Sequence, residues 1–242
     1  MRNIRVYYSE QFETGQAYSL EKATSHYLLR VLRLKEQQAF TLFDGKGCEY
    51  HAQLEISGKT AIAHIESSSH LSTESNLKIH LLQGISKGDR MDFVIQKSVE
   101  LGVHKITPVI CERTVVNLKG DRLEKKRQHW NNIAISACEQ SGRNHLPEIS
   151  VIKQLDEILQ EGNSQLKLLL NPLSKQTFNS IEFSADQLSF LIGPEGGLTD
   201  NEINHALQNN FSDIQLGPRV LRTETAALAA ITAAQVLWGD FN

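Results

Sequence analysis

Residues Phe190-Leu-Ile-Gly-Pro-Glu-Gly-Gly-Leu-Thr-Asp-Asn-Glu202 decide how the rest of this chain is read. Leu188 to Ile192 is a short apolar run, and Thr199 with Glu202 has capping-box spacing. A strand therefore passes through a glycine-rich loop into a helix. Three glycines let backbone approach a ligand closely, and Pro194 stiffens the turn. A phosphate cradle is the obvious suggestion, yet no Lys-Ser/Thr follows, and Glu195 sets a negative charge inside the loop. A carboxylate among backbone amides suits a neutral or cationic ligand with hydroxyls.

Two more strand ends share this character. Leu216-Gly-Pro-Arg-Val-Leu-Arg-Thr-Glu-Thr-Ala-Ala-Leu-Ala-Ala230 runs from a strand through a Gly-Pro loop into an alanine-rich helix, whose small side chains allow close packing on another backbone or subunit. Leu170-Asn171-Pro172 ends a third apolar run. Upstream, Ile79–Gln83, Lys105–Ile110, Leu166–Leu170, Leu188–Ile192 and Asp213–Leu216 are brief apolar stretches, most of them separated by helical segments. Met91, Val94, Ile95 and Val99 repeat at helical spacing before a capping Gly102, and Trp130, Ile133, Ala134 and Ala137 make the next stripe. Apolar strands alternating with helices predict a parallel sheet covered on both faces, with ligands beyond the carboxyl ends of its strands. The first glycine turn of this region, Gln83-Gly-Ile-Ser-Lys-Gly88, lacks dinucleotide-binding spacing, which points away from a Rossmann arrangement.

The N-terminal part has another texture. Arg5–Tyr8, Ala39–Phe43 followed by Asp44-Gly45, Glu49–Ile56 and Thr60–Ile65 read as strands, and Ser25–Arg33 as a helix. This predicts a small β-barrel with one helix. Ser67–Asn76 is polar and aperiodic and reads as a linker, so the domains are placed at 1–72 and 73–242.

The start has no apolar core of secretion-signal length, and no window approaches a membrane span. Three widely spaced cysteines, Cys48, Cys111 and Cys138, argue against a disulfide framework and a zinc site. A cytoplasmic protein with no metal and no membrane partner is expected. Net charge is −3, but residues 78–143 carry 12 Lys/Arg against 7 Asp/Glu (12 − 7 = +5), while 144–242 carry 5 against 12 (5 − 12 = −7). A basic middle can build a cationic face for nucleic acid, or be an ordinary solvated helix surface.

GPEGGLTDNE (193–202), LGPRVLRTETAALAA (216–230), IQKSVELGV (95–103) and ACEQSGRN (137–144) together resemble, in order and spacing, the RsmE family of 16S ribosomal RNA uridine-N3 methyltransferases of the SPOUT superfamily. The resemblance covers essentially the whole chain. It implies a PUA-like RNA-binding barrel before a trefoil-knotted α/β methyltransferase domain, working as a homodimer on 16S ribosomal RNA within the small subunit. It also implies S-adenosyl-L-methionine as methyl donor, held by Leu170, Asn171, Ile192, Gly193, Pro194, Glu195, Gly196, Leu216, Gly217, Val220, Leu221 and Thr223.

Methyl transfer to uridine N3 must remove a weakly acidic imide proton, which needs a base or an anion-stabilising cation. The candidates are Glu139 or Arg143, with Arg222. The alternative is that Glu139 is a surface carboxylate and Arg143 a phosphate contact. Cys138 lies on the stripe begun by Trp130, so it reads as core, not as a nucleophile toward uracil C6. RNA contacts are assigned to Arg2, Arg5, Arg30, Arg33, Lys87, Arg90 and Lys119. Two rivals are an assembly factor without turnover and an enzyme acting on a ribose hydroxyl or transfer RNA.

Overall fold

The computed structural model describes residues 4–70, 72–116, 120–161 and 165–241. Arg2 and Lys119, two of the expected RNA contacts, lie outside them. The chain divides into two compact units: residues 1–74 with 138–146, and residues 75–137 with 147–242.

The N-terminal unit is a five-stranded sheet with short helical turns. Its elements are β1 (Arg5–Tyr7), β2 (Ala17–Ser19), α1 (Lys22–His26), a π-helical turn (Tyr27–Val31), β3 (Ala39–Phe43), β4 (Glu49–Ser57) and β5 (Thr60–Ser69). The strand order is β1-β3-β4-β5-β2, antiparallel except for the β1–β3 pair. Alternate residues of each strand enter one core that includes Val6, Phe40, Leu42, Leu54 and Ile65, as period-2 patterning requires. Phe12 joins the two ends of the sheet through ring contacts with Tyr8, Tyr18 and Tyr50.

Three details differ from expectation. The linker begins later than Ser67, because Ser67, Ser68 and Ser69 continue β5 and pair with His51, Tyr50 and Glu49. The helix expected over Ser25–Arg33 is a short α-turn followed by a π-turn, in which the Leu32 N–H reaches back five residues to Tyr27 O at 2.9 Å, and Arg33 at φ +57° ends it. Residues 138–146 pack with this unit: the Leu146 N–H donates to Gly45 O at 3.0 Å, and Gly47 N–H to Asn144 O at 3.1 Å.

The C-terminal unit contains β6 (Lys78–Gly84), α2 (Asp89–Glu100), β7 (Lys105–Ile110), α3 (Asp121–Ser141, whose last residues belong to the first unit), β8 (Glu148–Ile149), β9 (Lys153–Gln154), α4 (Leu155–Gln160), β10 (Leu166–Leu170), β11 (Gln187–Ile192), α5 (Asp200–Gln208), β12 (Ser212–Ile214) and α6 (Thr223–Trp238). All its strand pairs are parallel, in the order β12-β10-β11-β6-β7-β8, with β9 also on β7. Leu82, Val109, Leu169 and Leu191 pack under α4 and α5. The small side chains Ala227, Ala230 and Ala234 let α6 lie close against β6, β11 and α2. Gly102, at φ +82°, ends α2 as the sequence predicts.

Candidate active site

β11, β10 and β12 are consecutive in the sheet, so the loops leaving their carboxyl ends meet. They line one cavity of about 600 Å³. Leu170 and Asn171 line it from the end of β10. Ile192, Gly193, Pro194, Glu195 and Gly196 line it from β11, and Leu216, Gly217, Val220, Leu221 and Thr223 from the run after β12. The residues singled out for the methyl donor thus surround a single space.

Local chemistry fixes each wall. Thr223 opens α6, and its hydroxyl donates to Gly193 O at 2.7 Å while accepting from Gln83 Nε2 at 2.9 Å. One buried hydroxyl therefore fastens both Gly-Pro loops to the end of β6. Asn171 Nδ2 donates to Asp213 Oδ2 at 2.9 Å, which ties the β10 loop to β12. Gly84 is required by closeness: a Cβ there would lie 2.5 Å from Pro194 N and 2.7 Å from Gly193 C. Gly84→Ala is therefore expected to destabilise the protein by about 1–3 kcal/mol through overpacking, read as a lowered denaturant midpoint at unchanged slope.

Glu195, suspected of repelling phosphate, is held within its own loop region. The Lys87 N–H donates to its Oε1 at 2.7 Å and Arg90 Nη1 at 3.1 Å. Burial pushes its carboxyl up, but the Lys87 and Glu195 N–H groups and Arg90 more than offset this, leaving it below the usual carboxylate range. Glu195 is therefore charged at neutral pH. Arg113 Nη1 donates to Gly196 O at 2.9 Å and braces the same loop. Glu224 also lines the cavity, and its Oε2 is sealed from solvent with no hydrogen-bond partner among the described residues. A sealed acceptor beside an open cavity fits a ligand carrying an ammonium or hydroxyl donor.

Of the three catalytic candidates, Arg222 lines the cavity, with its side chain outside any ion pair among the described residues. Glu139 and Arg143 belong to the N-terminal unit. Glu139 accepts from the Tyr7 N–H at 3.1 Å and the Tyr27 hydroxyl at 3.0 Å. Burial raises its carboxyl above the ordinary range despite these donors. Burial, with the Glu139 charge, also raises the Tyr27 phenol to about 12, so Tyr27 remains a donor at neutral pH. Arg143 is 4% exposed and ion-paired with Glu74. Cys138 is fully buried, and burial lifts its thiol to about 12, which removes the thiolate a nucleophile needs.

The expected RNA contacts separate into occupied and available cations. Arg5 donates to Glu49 Oε2 at 2.6 Å and to Asn144 Oδ1, with its side chain 11% exposed. It is neutralised inside the N-terminal unit. Arg30 and Arg33 are exposed, and so is Lys87. Arg90 lines the cavity beside Glu195. Five of the twelve cations of the basic middle are ion-paired among the described residues, and three of them use carboxylates from outside residues 78–143: Arg90 with Glu195, Lys105 with Glu148 and Arg143 with Glu74. Its net positive count therefore overstates its free charge.

The sequence reading missed Gln83 and Arg113 and gave Glu224 no role. Arg113 follows the end of β7, where strand-end reasoning would have found it, and Glu224 lies inside the quoted LGPRVLRTETAALAA run. Gln83 carries no local signal, because only the strand order brings it to Thr223. Among the described residues no helix is long and apolar enough to cross a membrane, and no group of three or more His, Cys, Asp or Glu side chains could hold a metal ion.

Comparison with known proteins gives this geometry its class. Residues 73–235 match the model of an RNA methyltransferase domain, and residues 20–66 match an RNA methyltransferase PUA domain. The ribosomal RNA small subunit methyltransferase E of Buchnera aphidicola (from Schizaphis graminum) is 40% identical over 98% of both chains, and that of Bacillus subtilis is 31% identical over 96% of both. A crystal structure of the Neisseria gonorrhoeae ribosomal RNA small subunit methyltransferase E, bound to S-adenosyl methionine, is 43% identical and superposes over both whole chains with a TM-score of 0.93. The chain belongs to the ribosomal RNA small subunit methyltransferase E family.

Proposed function

We propose that this protein methylates N3 of a uridine in 16S ribosomal RNA, using S-adenosyl methionine as donor. The observation that carries this is the convergence of three strand-end loops on one cavity in a chain whose Neisseria relative is bound to that donor. The cavity fits the donor's chemistry: apolar walls from Leu170, Ile192, Leu216 and Leu221 suit a base and sulfonium region, and the sealed Glu224 oxygen suits a cationic end. When bound, the donor supplies an electrophilic methyl group.

The protein has then to present uridine N3 as a nucleophile. Loss of the imide proton to solvent water leaves negative charge shared between N3 and the flanking carbonyl oxygens, and a fixed cation lowers the cost of that charge; N3 would then bond to the methyl carbon as the donor's sulfur–carbon bond breaks, with S-adenosylhomocysteine as the leaving group. Arg222, at the cavity and in no ion pair among the described residues, has this role. Glu139 and Arg143 act as positioning residues within the N-terminal unit, because their charged groups already hold Tyr7, Tyr27 and Glu74. The target base has to leave its stack to enter a cavity, which favours the folded small subunit over short RNA as substrate.

The working form is a cytoplasmic homodimer. An alanine-rich α6 with exposed Val236 and Leu237, and exposed Leu173 and Val220 at the cavity loops, supply apolar surface that a second copy would cover. The chain runs as a trefoil knot: β11 enters the sheet between β6 and β10, and the run after β12 returns to β6 and β11 through α6, an order that supports threading. The two domains are taken as 1–72 and 73–242.

Mass spectrometry of 16S ribosomal RNA from a strain lacking this chain tests the activity. The expected result is loss of a single N3-methyluridine, restored by the wild-type chain. An unchanged methylation pattern overturns the reading.

A further inference from the structure

The N-terminal unit carries a second cavity, also about 600 Å³, between the α1–π-turn segment and the β4–β5 hairpin. That volume lies within the range of about 300–1,000 Å³ usual for small-ligand sites. Its walls combine the basic side chains of Lys22, His26, Arg30 and Lys59 with the apolar Leu29 and Ile56, and no acidic residue lines it among the described residues. Glu21 accepts from the Thr24 hydroxyl and Glu36 from the Ile56 N–H, and neither carboxylate is among the residues that line the cavity. Lys22, Arg30 and Lys59 form no ion pair among the described residues, so no carboxylate of the described chain offsets their charge.

The local backbone is built to present these groups. The Leu32 N–H donates to Tyr27 O at 2.9 Å, an i+5 bond that inserts one extra residue into the turn. Leu28 is thereby fully buried while Arg30 stays exposed. Arg33, at φ +57°, then stops the helix abruptly, and Gly58, at φ +62°, turns the hairpin that carries Lys59. Uncompensated cations around an apolar floor match one class of ligand closely: a nucleotide whose phosphates meet ammonium groups and whose base lies on carbon. Arg30 adds a planar guanidinium, the group that stacks on exposed bases.

We infer that this cavity is a subsite for one unpaired nucleotide of the RNA substrate, distinct from the uridine that is methylated. Lys22 and Lys59 contact its backbone phosphates, Arg30 stacks on its base, and Leu29 and Ile56 form the floor. A base inside a helix is not available to such a cavity, so the subsite selects single-stranded over duplex RNA. The inference rests on the RNA-modifying reading above and gives the N-terminal unit a specific task within it.

Fluorescence anisotropy with the full-length protein tests it, using a fluorescein-labelled single-stranded RNA hexamer of mixed sequence and a duplex of the same strand. Lys22→Ala/Lys59→Ala should weaken hexamer binding roughly tenfold near 0.1 M salt, and should flatten the slope of log affinity against log salt by about 1.4, at about 0.7 per lost phosphate contact. Arg30→Lys keeps the charge but removes the stacking plane; it should weaken the hexamer about fivefold with the slope unchanged, and leave the duplex alone. All three side chains are exposed, so melting should not move. Wild-type affinity in both variants overturns the subsite, and so does equal weakening for hexamer and duplex. If the wild-type protein still methylates small subunits in those cases, the proposed activity stands without the subsite. A wild-type protein that binds neither RNA nor small subunits overturns both.

Discussion

Arg222→Ala is expected to lower the single-turnover methylation rate by about 10²–10³-fold, with donor affinity changed by less than about twofold. The size follows from the chemistry. An imide anion forms only as the proton leaves, so a cation that meets it acts on the transition state and contributes little to ground-state binding. Arg222 precedes the helix that Thr223 opens and lines the cavity with no competing carboxylate partner among the described residues. Its charge is available to whatever enters. Arg222→Lys should recover part of the rate, because a point charge remains while the two-pronged donor geometry is lost. Full single-turnover rates in both variants would remove Arg222 from the mechanism. A loss confined to donor affinity would instead make it a binding residue.

Arg143→Ala should destabilise the protein by about 3–5 kcal/mol, the cost of leaving a partly buried charge without its partner. Its side chain is 5% exposed and that of Glu74 is 19%, so water can replace little of the lost pairing. Removing both charges with residues of similar bulk, as in Arg143→Met/Glu74→Leu, should recover most of that loss. The double variant also separates positioning from chemistry. A folded double variant that keeps a single-turnover rate within about threefold of wild type assigns Arg143 to holding residues 138–146. A folded variant with a rate lowered a hundredfold would place Arg143 in the chemistry. Chemical denaturation reads the first effect, and labelled methyl transfer to purified small subunits reads the second.

Some of this was legible from residues alone. The alternation of apolar runs with helical stripes identified the parallel sheet, and Thr199 with Glu202 located the start of α5 after the glycine loop. The capping box forms as read, with the Thr199 hydroxyl accepting from the Glu202 N–H. Glycines and prolines at strand ends marked the loops that line the cavity. What those loops share was not legible, because adjacency of β12, β10 and β11 is a property of strand order that no local pattern encodes. Thr223 shows the gap: its identity reads as an ordinary helix start, yet its function depends on Gly193 and Gln83, far away in sequence. The same limit explains residues 138–146. They continue a helical stripe of the C-terminal unit, and only tertiary pairing of Gly45 and Gly47 with Leu146 and Asn144 assigns them to the other one. β8 and β9, of two residues each, are too short to show a period. The charge count has a related limit, since three cations of residues 78–143 pair with Glu74, Glu148 and Glu195, which lie outside the stretch that was counted.

Methylation by this protein requires that the one cavity enclosed by the ends of β10, β11 and β12 be shaped for a methyl donor. A crystal structure with S-adenosylhomocysteine measures this most directly. The predicted result is density for the ligand in contact with Ile192, Leu216 and the Gly193 backbone, with a donor group of the ligand on Glu224. Ligand lodged at another place in the fold, with these three loops empty, would contradict it.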